Sequence, residues 1–238
     1  MYYQVRHWVL LPANRALIDR PLTPFEKWLF LKKDDKRIIS KLYRLLQGEN
    51  RLPKSKGQLR WERELERELS DEEWDSIFYR IYHTAYNAAG TETSYKIASY
   101  WYYTPARLHA WDHDKSDLCW RGCGATGTLL HLLWHCPKLH LYWENIIDDI
   151  DAAFQVKIPR LPSYILLGLP NPLTFPLRSL KGRQMALALN AALQLLLALW
   201  GTDRVLTRIS WLQKLWFILA MEKLTLASQQ RIGDLGEL

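Results

Sequence analysis

The chain has 238 residues, 48% of them hydrophobic, and a formal net charge of +7. This length and apolar fraction allow one or two domains with a substantial buried core. The cysteine count is odd, and the residues after Met1 lack the basic and then apolar layout of a secretion signal. We therefore expect an intracellular protein, nuclear or cytoplasmic, and not a secreted disulfide-bonded one.

Basic side chains are concentrated near the N-terminus. Residues 1–60 hold 14 Lys and Arg against 5 Asp and Glu, whereas residues 61–76 hold 2 against 8. A dense run of cations attracts phosphate backbones through counterion release, without reading sequence. The alternative is a solvated helical face that the neighbouring acidic run neutralises. The candidate phosphate-binding residues of this segment are Lys32, Lys33, Lys36, Arg37 and Lys41.

Start and stop signals predict helices in the first ninety residues. Thr23–Glu26 is a capping box with proline at the first helical position, and residues 36–47 carry apolar side chains at helical spacing. Ser70 and Glu73 form a second capping box. The helix that they open is predicted to end at residues 87–90, where asparagine and glycine interrupt the pattern.

The most informative stretch is 119–136, which holds every cysteine of the chain and a histidine at the spacing C-x3-C-x7-H-x4-C. Three thiolates and one imidazole are the tetrahedral donor set of closed structural zinc sites. Gly122 and Gly124 allow a tight turn, and a helix opening at His131 would keep that ligand near the last cysteine. The alternative is that the cysteines are small buried hydrophobes on an apolar helical hairpin. The candidate zinc ligands are Cys119, Cys123, His131 and Cys136.

Helices are also predicted on both sides of this cluster. Thr104 and Pro105 open a short helix before it, and residues 137–154 form a longer one after it. Residues 159–178 are rich in proline, so they are predicted to form an extended connection. In the 137–154 helix, the residues expected to face inward are Leu139, Tyr142, Trp143, Ile146, Ile147 and Ile150. The acids expected to face outward are Glu144, Asp148 and Asp151.

The run 185–200 is strongly apolar, but it is too short to cross a bilayer and carries Asn190 and Gln194. It therefore predicts a buried core helix. This helix is expected to pack on a final helix over 207–229, whose inward residues would be Ile209, Leu212, Leu215, Trp216, Leu219 and Leu226. The predicted fold class is all-α, an irregular helical bundle with a small CCHC zinc-knuckle-like insertion and a proline-rich connection.

Several motifs follow one another in a recognisable order. TPARL at 104–108 precedes CWRGCGATGTLLHLLWHCP at 119–137, and WE at 143–144 and IPRLPSYILLGLPNP at 158–172 follow. Over about residues 61–230 the chain resembles the C-terminal region of the second open-reading-frame reverse-transcriptase protein of LINE-type non-LTR retrotransposons. The resemblance implies a basic helical segment, 1–60, that links to a missing polymerase thumb, and a helical C-terminal domain, 61–238, that contains the cysteine cluster.

No catalytic set is apparent in the sequence. The polymerase of that family needs an aromatic-x-Asp-Asp loop to hold two metal ions, and neither Asp34–Asp35 nor Asp148–Asp149 has the aromatic residue or the flanking strands. A glycine-rich phosphate loop, a G-x-S-x-G elbow and an H-E-x-x-H pair are also missing. We therefore expect a chain that is not an enzyme and takes no small-molecule substrate.

Basic and aromatic residues surround the cysteine cluster. Such neighbours bind single strands with little sequence preference, because the charge holds the backbone and the ring stacks on a base. The resemblance implies the same role, so we expect RNA or single-stranded DNA as the partner, with the polymerase region of the same protein as a further partner and no membrane. The alternative is a helical scaffold that serves structure or protein interaction. The candidate nucleic-acid contacts here are Arg107, Lys115, Trp120, Arg121 and Lys138.

Overall fold

The computed structural model describes residues 53–171, 174–177, 179–204 and 206–229, together with positions 7, 10–14, 20–22 and 26–27. Two compact units divide the chain, Met1–Pro53 and Lys54–Leu238. In the first unit, a short 3-10 turn spans Pro12–Asn14, and Arg20 forms an ion pair with Glu26 at 2.6 Å. The predicted helix over 36–47 and the five predicted basic contacts of this segment lie outside the described residues.

The second unit is helical, and the all-α prediction is confirmed. Among the described residues there is no sheet, and the β structure consists of one isolated antiparallel bridge, Leu118–Thr126. The helices are α1 (Lys56–Glu64), α2 (Asp71–Thr84), α3 (Ala88–Ala98), α4 (Pro105–His109), a π-helical turn (His131–His135), a 3-10 turn (Pro137–Leu139), α5 (His140–Phe154), α6 (Pro162–Ile165), α7 (Leu180–Ala198) and α8 (Arg208–Ser228). The expected division after residue 60 falls inside α1.

Two of the predicted helix starts are confirmed, and one predicted helix end is instead a helix start. The Ser70 side chain accepts from the Glu73 backbone N–H, and the Glu73 side chain accepts from the Ser70 backbone N–H, which completes the capping box of α2. The Thr104 side chain caps α4 by accepting from the Arg107 N–H at 3.2 Å, with proline at the first position of the helix. Asn87, however, does not end a helix but starts one, because its side chain caps α3 by accepting from the Gly90 N–H at 3.0 Å. Asparagine favours both helix ends, so the sequence alone does not distinguish them.

Helix α7 forms the centre of the unit, as predicted, and packs against α8, α3, α5 and α2. Its polar residues find partners on neighbouring structure. The buried Asn190 amide donates to the Gly90 carbonyl at 3.2 Å and to the Ser94 hydroxyl at 2.8 Å, and its oxygen accepts from Gln194 at 2.7 Å. These bonds offset the cost of burying an amide. In the described part of the chain, no helix combines the length and the apolar character that a bilayer crossing requires.

The prediction of which side of α8 faces the core is wrong in part. Ile209, Leu212 and Trp216 were expected to face inward, but their side chains are exposed, Trp216 by 74%. The residues that α8 buries are Trp211, Ile218, Glu222 and Leu226. Apolar residues occupy almost every side of this helix, so the pattern does not fix which face is buried.

The inward residues predicted for the 137–154 helix are all buried, but Asp151 is a correction. It was expected to face solvent and is 5% exposed. Its carboxylate accepts from the Ile158 N–H at 2.8 Å and lies 3.3 Å from the Lys157 ammonium, so the chain after α5 folds back over it. A buried carboxylate needs such partners.

The proline-rich connection that follows contains the one-turn helix α6, so it is not extended throughout.

A carboxylate from α8 caps α3 from a distance. Glu222 is fully buried, and its two oxygens accept from the backbone N–H groups of Tyr86 at 2.7 Å and Asn87 at 2.9 Å. These groups lie at the N-terminal end of α3, where the helix leaves N–H groups unsatisfied and the helix dipole favours negative charge. The contact ties the last described helix to the first half of the unit.

We expect Glu222→Ala to lower the free energy of unfolding by about 2–4 kcal/mol, since two partly buried backbone N–H groups lose the carboxylate that accepts from them. Urea denaturation followed by circular dichroism measures this change. The neighbouring Lys223→Ala is the control, because Lys223 is exposed and its removal should alter stability by less than about 0.5 kcal/mol. Equal midpoints for the two variants would show that the Glu222 contacts do not stabilise the fold.

Candidate metal centre

The first two cysteines lie on a tight hairpin, which we call the cysteine hairpin (residues 117–127). Backbone bonds close it: the Cys119 N–H donates to Ala125 at 2.8 Å, and the Gly127 N–H donates to Asp117 at 2.8 Å. Gly122 and Gly124 adopt φ values of +68° and +80°, the left-handed region that glycine enters without steric cost. The predicted glycine turn between the cysteines is therefore confirmed.

The other two candidate ligands flank a π-helical turn. The Cys136 N–H donates to the His131 carbonyl at 2.9 Å, a bond across five residues instead of the usual four. Three residues before the turn, the Thr128 hydroxyl accepts from the His131 N–H at 3.2 Å. Because one π turn contains more residues than an α turn, His131 and Cys136 lie one turn apart and face the same site.

The hairpin and the π turn bring four ligand atoms together. The sulfurs of Cys119, Cys123 and Cys136 and a ring nitrogen of His131 all lie within 4.8 Å of one another, close enough to hold one metal ion. The Cys119 and Cys136 sulfurs are 3.9 Å apart, and the Cys123 sulfur is 3.2 Å from His131 Nε2. Two thiolates that share a tetrahedral zinc ion lie roughly 3.8 Å apart. The arrangement is compatible with zinc, and none of the three cysteines forms a disulfide.

The surroundings of the site favour a neutral histidine and shift the pKa values of two of its thiols in opposite directions. Burial raises the pKa of the Cys119 thiol to about 11. Burial also acts to raise the pKa of Cys123, but hydrogen bonds from the Ala125 backbone and from the other two thiols outweigh it and lower that pKa. Burial and then the positive charges of Arg121 and His135 lower the pKa of His131. A neutral imidazole is the form that binds a metal, and a bound cation favours the thiolates.

The last residue of the cysteine hairpin and the three residues that follow it connect the cluster to the helices. In this junction segment, residues 127–130, the Leu130 N–H donates to the Glu64 carboxylate of α1 at 2.6 Å. The Gly127 carbonyl accepts from the Ala106 N–H of α4 at 3.3 Å. A Cβ atom on Gly127 would lie 2.8 Å from the Pro105 ring, so only glycine allows α4 this close. The junction segment therefore positions both α1 and α4.

The Tyr100 hydroxyl completes the contact with α1. It donates to the Glu64 carboxylate and also lies 3.4 Å from the Leu129 N–H, which donates to it. Burial and then the Glu64 charge raise the pKa of Tyr100, so the phenol keeps its proton. No sequence pattern indicated this pairing of residues about thirty-six positions apart.

Two of the predicted nucleic-acid contacts lie on or after α4. Arg107 donates through Nη1 to the Tyr100 carbonyl at 3.1 Å, and its guanidinium lies 4.9 Å from the ring centroids of both Tyr103 and Trp111. It therefore anchors the loop before α4. Lys115 is exposed and forms an ion pair with Asp112 at 3.5 Å.

The other predicted contacts lie on the cysteine hairpin and after it. The Trp120 ring is half-buried and packs edge-to-face on Trp200, with 4.7 Å between centroids. Arg121 lies 5.7 Å from the Trp120 ring and donates to the Leu132 carbonyl of the π turn at 2.9 Å. Lys138 is exposed on the 3-10 turn that follows Cys136. The structure thus gathers Trp120 and Arg121 at the cluster.

Two further arginines lie close to this region: Arg60, which is the last cation of the basic N-terminal segment, and Arg63, which was not selected from the sequence. Arg60 and Arg63 of α1 line a cleft of about 360 Å³ together with Arg107 and Trp111 of the α4 region. Their spacing of three places them on one side of a helix, which was a usable signal. That α4 lies opposite them depends on the junction segment and could not be read from the pattern.

No protein-family model matches the chain.

We expect the purified chain to hold one metal ion and His131→Ala to lose it, because only His131 supplies a nitrogen to the four-atom set. Metal analysis by inductively coupled plasma mass spectrometry checks this. His135→Ala is the matched control, since His135 is exposed on the same π turn and should keep full occupancy. Equal metal content in both variants would refute the ligand assignment.

Proposed function

We propose that this chain is a non-catalytic module that binds RNA or single-stranded DNA, organised by a zinc ion in the cysteine cluster. The observation that carries the proposal is the junction segment. It runs between two candidate ligands, Cys123 and His131, and holds both α1 and α4. A metal-stabilised junction therefore fixes the surface on which arginines and exposed aromatic rings lie.

Zinc is the metal that this donor set favours. Thiolates are soft ligands that select zinc over magnesium or calcium, which prefer oxygen. Four protein ligands complete a tetrahedron and leave no open position for water or substrate, which is the pattern of structural sites. Bound zinc would supply folding free energy to a hairpin that has little core of its own. The chain's own residues would then make every contact with nucleic acid.

Charge and stacking would act together in that contact. Lys115, Arg121 and Lys138 lie near the cluster with exposed or partly exposed side chains. Cations neutralise phosphates and release counterions, so affinity falls as salt rises. Exposed aromatic rings stack on bases of any sequence. The resemblance to the C-terminal region of LINE-type reverse-transcriptase proteins supports this role and supports an origin in such an element.

A second candidate function is a scaffold that docks on another protein surface, such as the polymerase region of a longer chain. The observation that favours it is the set of large apolar side chains that α8 exposes: Ile209, Leu212, Trp216, Phe217 and Leu224. Contiguous exposed apolar surface marks interaction sites. Apolar docking is insensitive to salt, whereas phosphate binding is weakened by it, so salt dependence separates the two functions.

We expect fluorescence anisotropy of a labelled single-stranded RNA to report binding that weakens with salt and after zinc chelation. Cys123→Ser should behave like the chelated protein and should become sensitive to protease between residues 115 and 145, because a ligand of the junction is lost. Unchanged metal content and protease resistance in Cys123→Ser would refute the role of the metal. Absence of binding even at low salt would refute the nucleic-acid function and favour the scaffold.

The basic segment at the N-terminus is tested separately. Reversing Lys36, Arg37 and Lys41 to glutamate should reduce RNA affinity at least tenfold, because six units of charge change near the strand. Metal content and the thermal unfolding midpoint should stay at the values of the unmodified chain. Unchanged affinity in this triple variant would show that the segment does not contact nucleic acid.

A further inference from the structure

We propose that the cleft between α1 and α4 holds one nucleotide of a bound single strand, with its phosphate on Arg60 and Arg63 and its base stacked on Trp111. This inference rests on the proposed nucleic-acid function and assigns it to a particular surface. We call this surface the α1–α4 cleft, and its lining includes Arg60, Arg63, Arg107 and Trp111.

The net charge of the cleft lining is positive, because three arginines outnumber the one acid, Glu64. Arg60 and Arg63 lie three residues apart on one side of α1, where like charges repel and weaken a helix. In the described part of the chain, neither forms an ion pair with a carboxylate. Glu64 is the acid in the lining, and its oxygens are taken up by the Leu130 N–H and the Tyr100 hydroxyl, so it keeps its charge but forms no ion pair with either arginine. An anion is the ligand that this arrangement favours.

Two exposed aromatic rings stand at the α4 side of the cleft. The exposed fractions of Trp111 and Tyr103 are 60% and 55%, and the rings pack edge-to-face at 5.4 Å. Arg107 lies 4.9 Å from both rings and is held by the Tyr100 carbonyl, so it is a positioning residue. The Trp111 backbone N–H donates to the Leu108 carbonyl at 3.1 Å, which fixes the backbone at this position, while the ring itself is held by its contacts with Tyr103 and Arg107. The ring is therefore held in place with much of its surface in water, as a stacking platform requires.

The size and the construction of the cleft suit one unstacked nucleotide. Its volume of about 360 Å³ lies within the range of roughly 300–1,000 Å³ for small-ligand pockets. A base must leave its stack to reach such a platform, which favours single strands over duplexes. Because the junction segment positions both walls, the cleft is formed before ligand arrives. Preorganisation of this kind lowers the entropic cost of binding.

The first test removes the phosphate contacts. We expect Arg60→Ala with Arg63→Ala to weaken binding of labelled oligouridylate by at least tenfold. The slope of log affinity against log salt should become shallower by about 1.4, since each phosphate contact on a single strand contributes roughly 0.7. Lys181→Ala with Lys223→Ala is the matched control, because it removes the same charge from exposed positions on α7 and α8. That control should change affinity by less than about twofold.

The second test removes the stacking platform. Trp111→Ala should weaken binding by about 5-fold to 100-fold with an unchanged salt slope, because a stacked base contributes affinity without releasing counterions. Trp216→Ala is the control, since Trp216 is also an exposed tryptophan but lies on α8. Equal metal content and thermal midpoints in all variants establish that the fold is intact.

The results of these tests distinguish failure of the cleft assignment from failure of the proposed nucleic-acid function. If the unmodified chain binds and the cleft variants bind as tightly as their controls, the cleft assignment is wrong while the nucleic-acid function stands. If the unmodified chain does not bind at low salt, both are wrong. Cross-linking of a thiouridine-containing strand to the peptide around Trp111, and its loss in Arg60→Ala with Arg63→Ala, would support the cleft through a measurement that does not depend on affinity.

Discussion

The arrangement of the second unit depends on the hydrogen bonds that the Glu64 carboxylate of α1 accepts just before the π turn. The carboxylate accepts from the Leu130 N–H and from the Tyr100 hydroxyl, so one side chain joins α1, the end of α3 and the segment that leads to His131. Hydrogen bonds to a charged group contribute about 1.5–3 kcal/mol each. A structural zinc ion contributes about 10–16 kcal/mol in small domains. The carboxylate therefore determines where the junction lies, whereas the metal would supply most of the free energy that keeps it ordered.

Tyr100 shows that this contact imposes a cost elsewhere. It adopts φ of +55°, a conformation that is unfavourable for residues other than glycine. Its ring packs edge-to-face on the buried Trp61 at 5.8 Å, and its hydroxyl reaches Glu64. Glu222 works on the same principle from α8, since it too is a carboxylate that satisfies backbone N–H groups of a distant element. In this all-α unit, remote carboxylates at helix and turn starts fix angles that apolar packing alone leaves variable.

Local signals predicted local features well. The Ser70 and Thr104 caps, the glycine turn of the cysteine hairpin and the convergence of the four ligands follow from short-range spacing, which the chain itself enforces. Features that depend on distant partners were not predictable. The burial of Asp151 requires the chain to fold back at Ile158, and the face that α8 buries is chosen by α7 because the apolar pattern of α8 has no preferred side.

The candidate metal centre explains why function would lie outside its coordination sphere. Three thiolates and one imidazole complete a tetrahedron, so such an ion offers no position for a ligand and can act only through what it holds in place. What it holds includes Gly127, whose lack of a side chain lets Pro105 approach and thereby sets α4 opposite α1. Arg107 comes from an element far in sequence from the two arginines of α1, so the junction is what brings its charge close to theirs. Loss of the metal would then relax the cleft before it unfolded the α7 core, because the packing of α7 on α8, α3 and α5 does not pass through the cysteine hairpin.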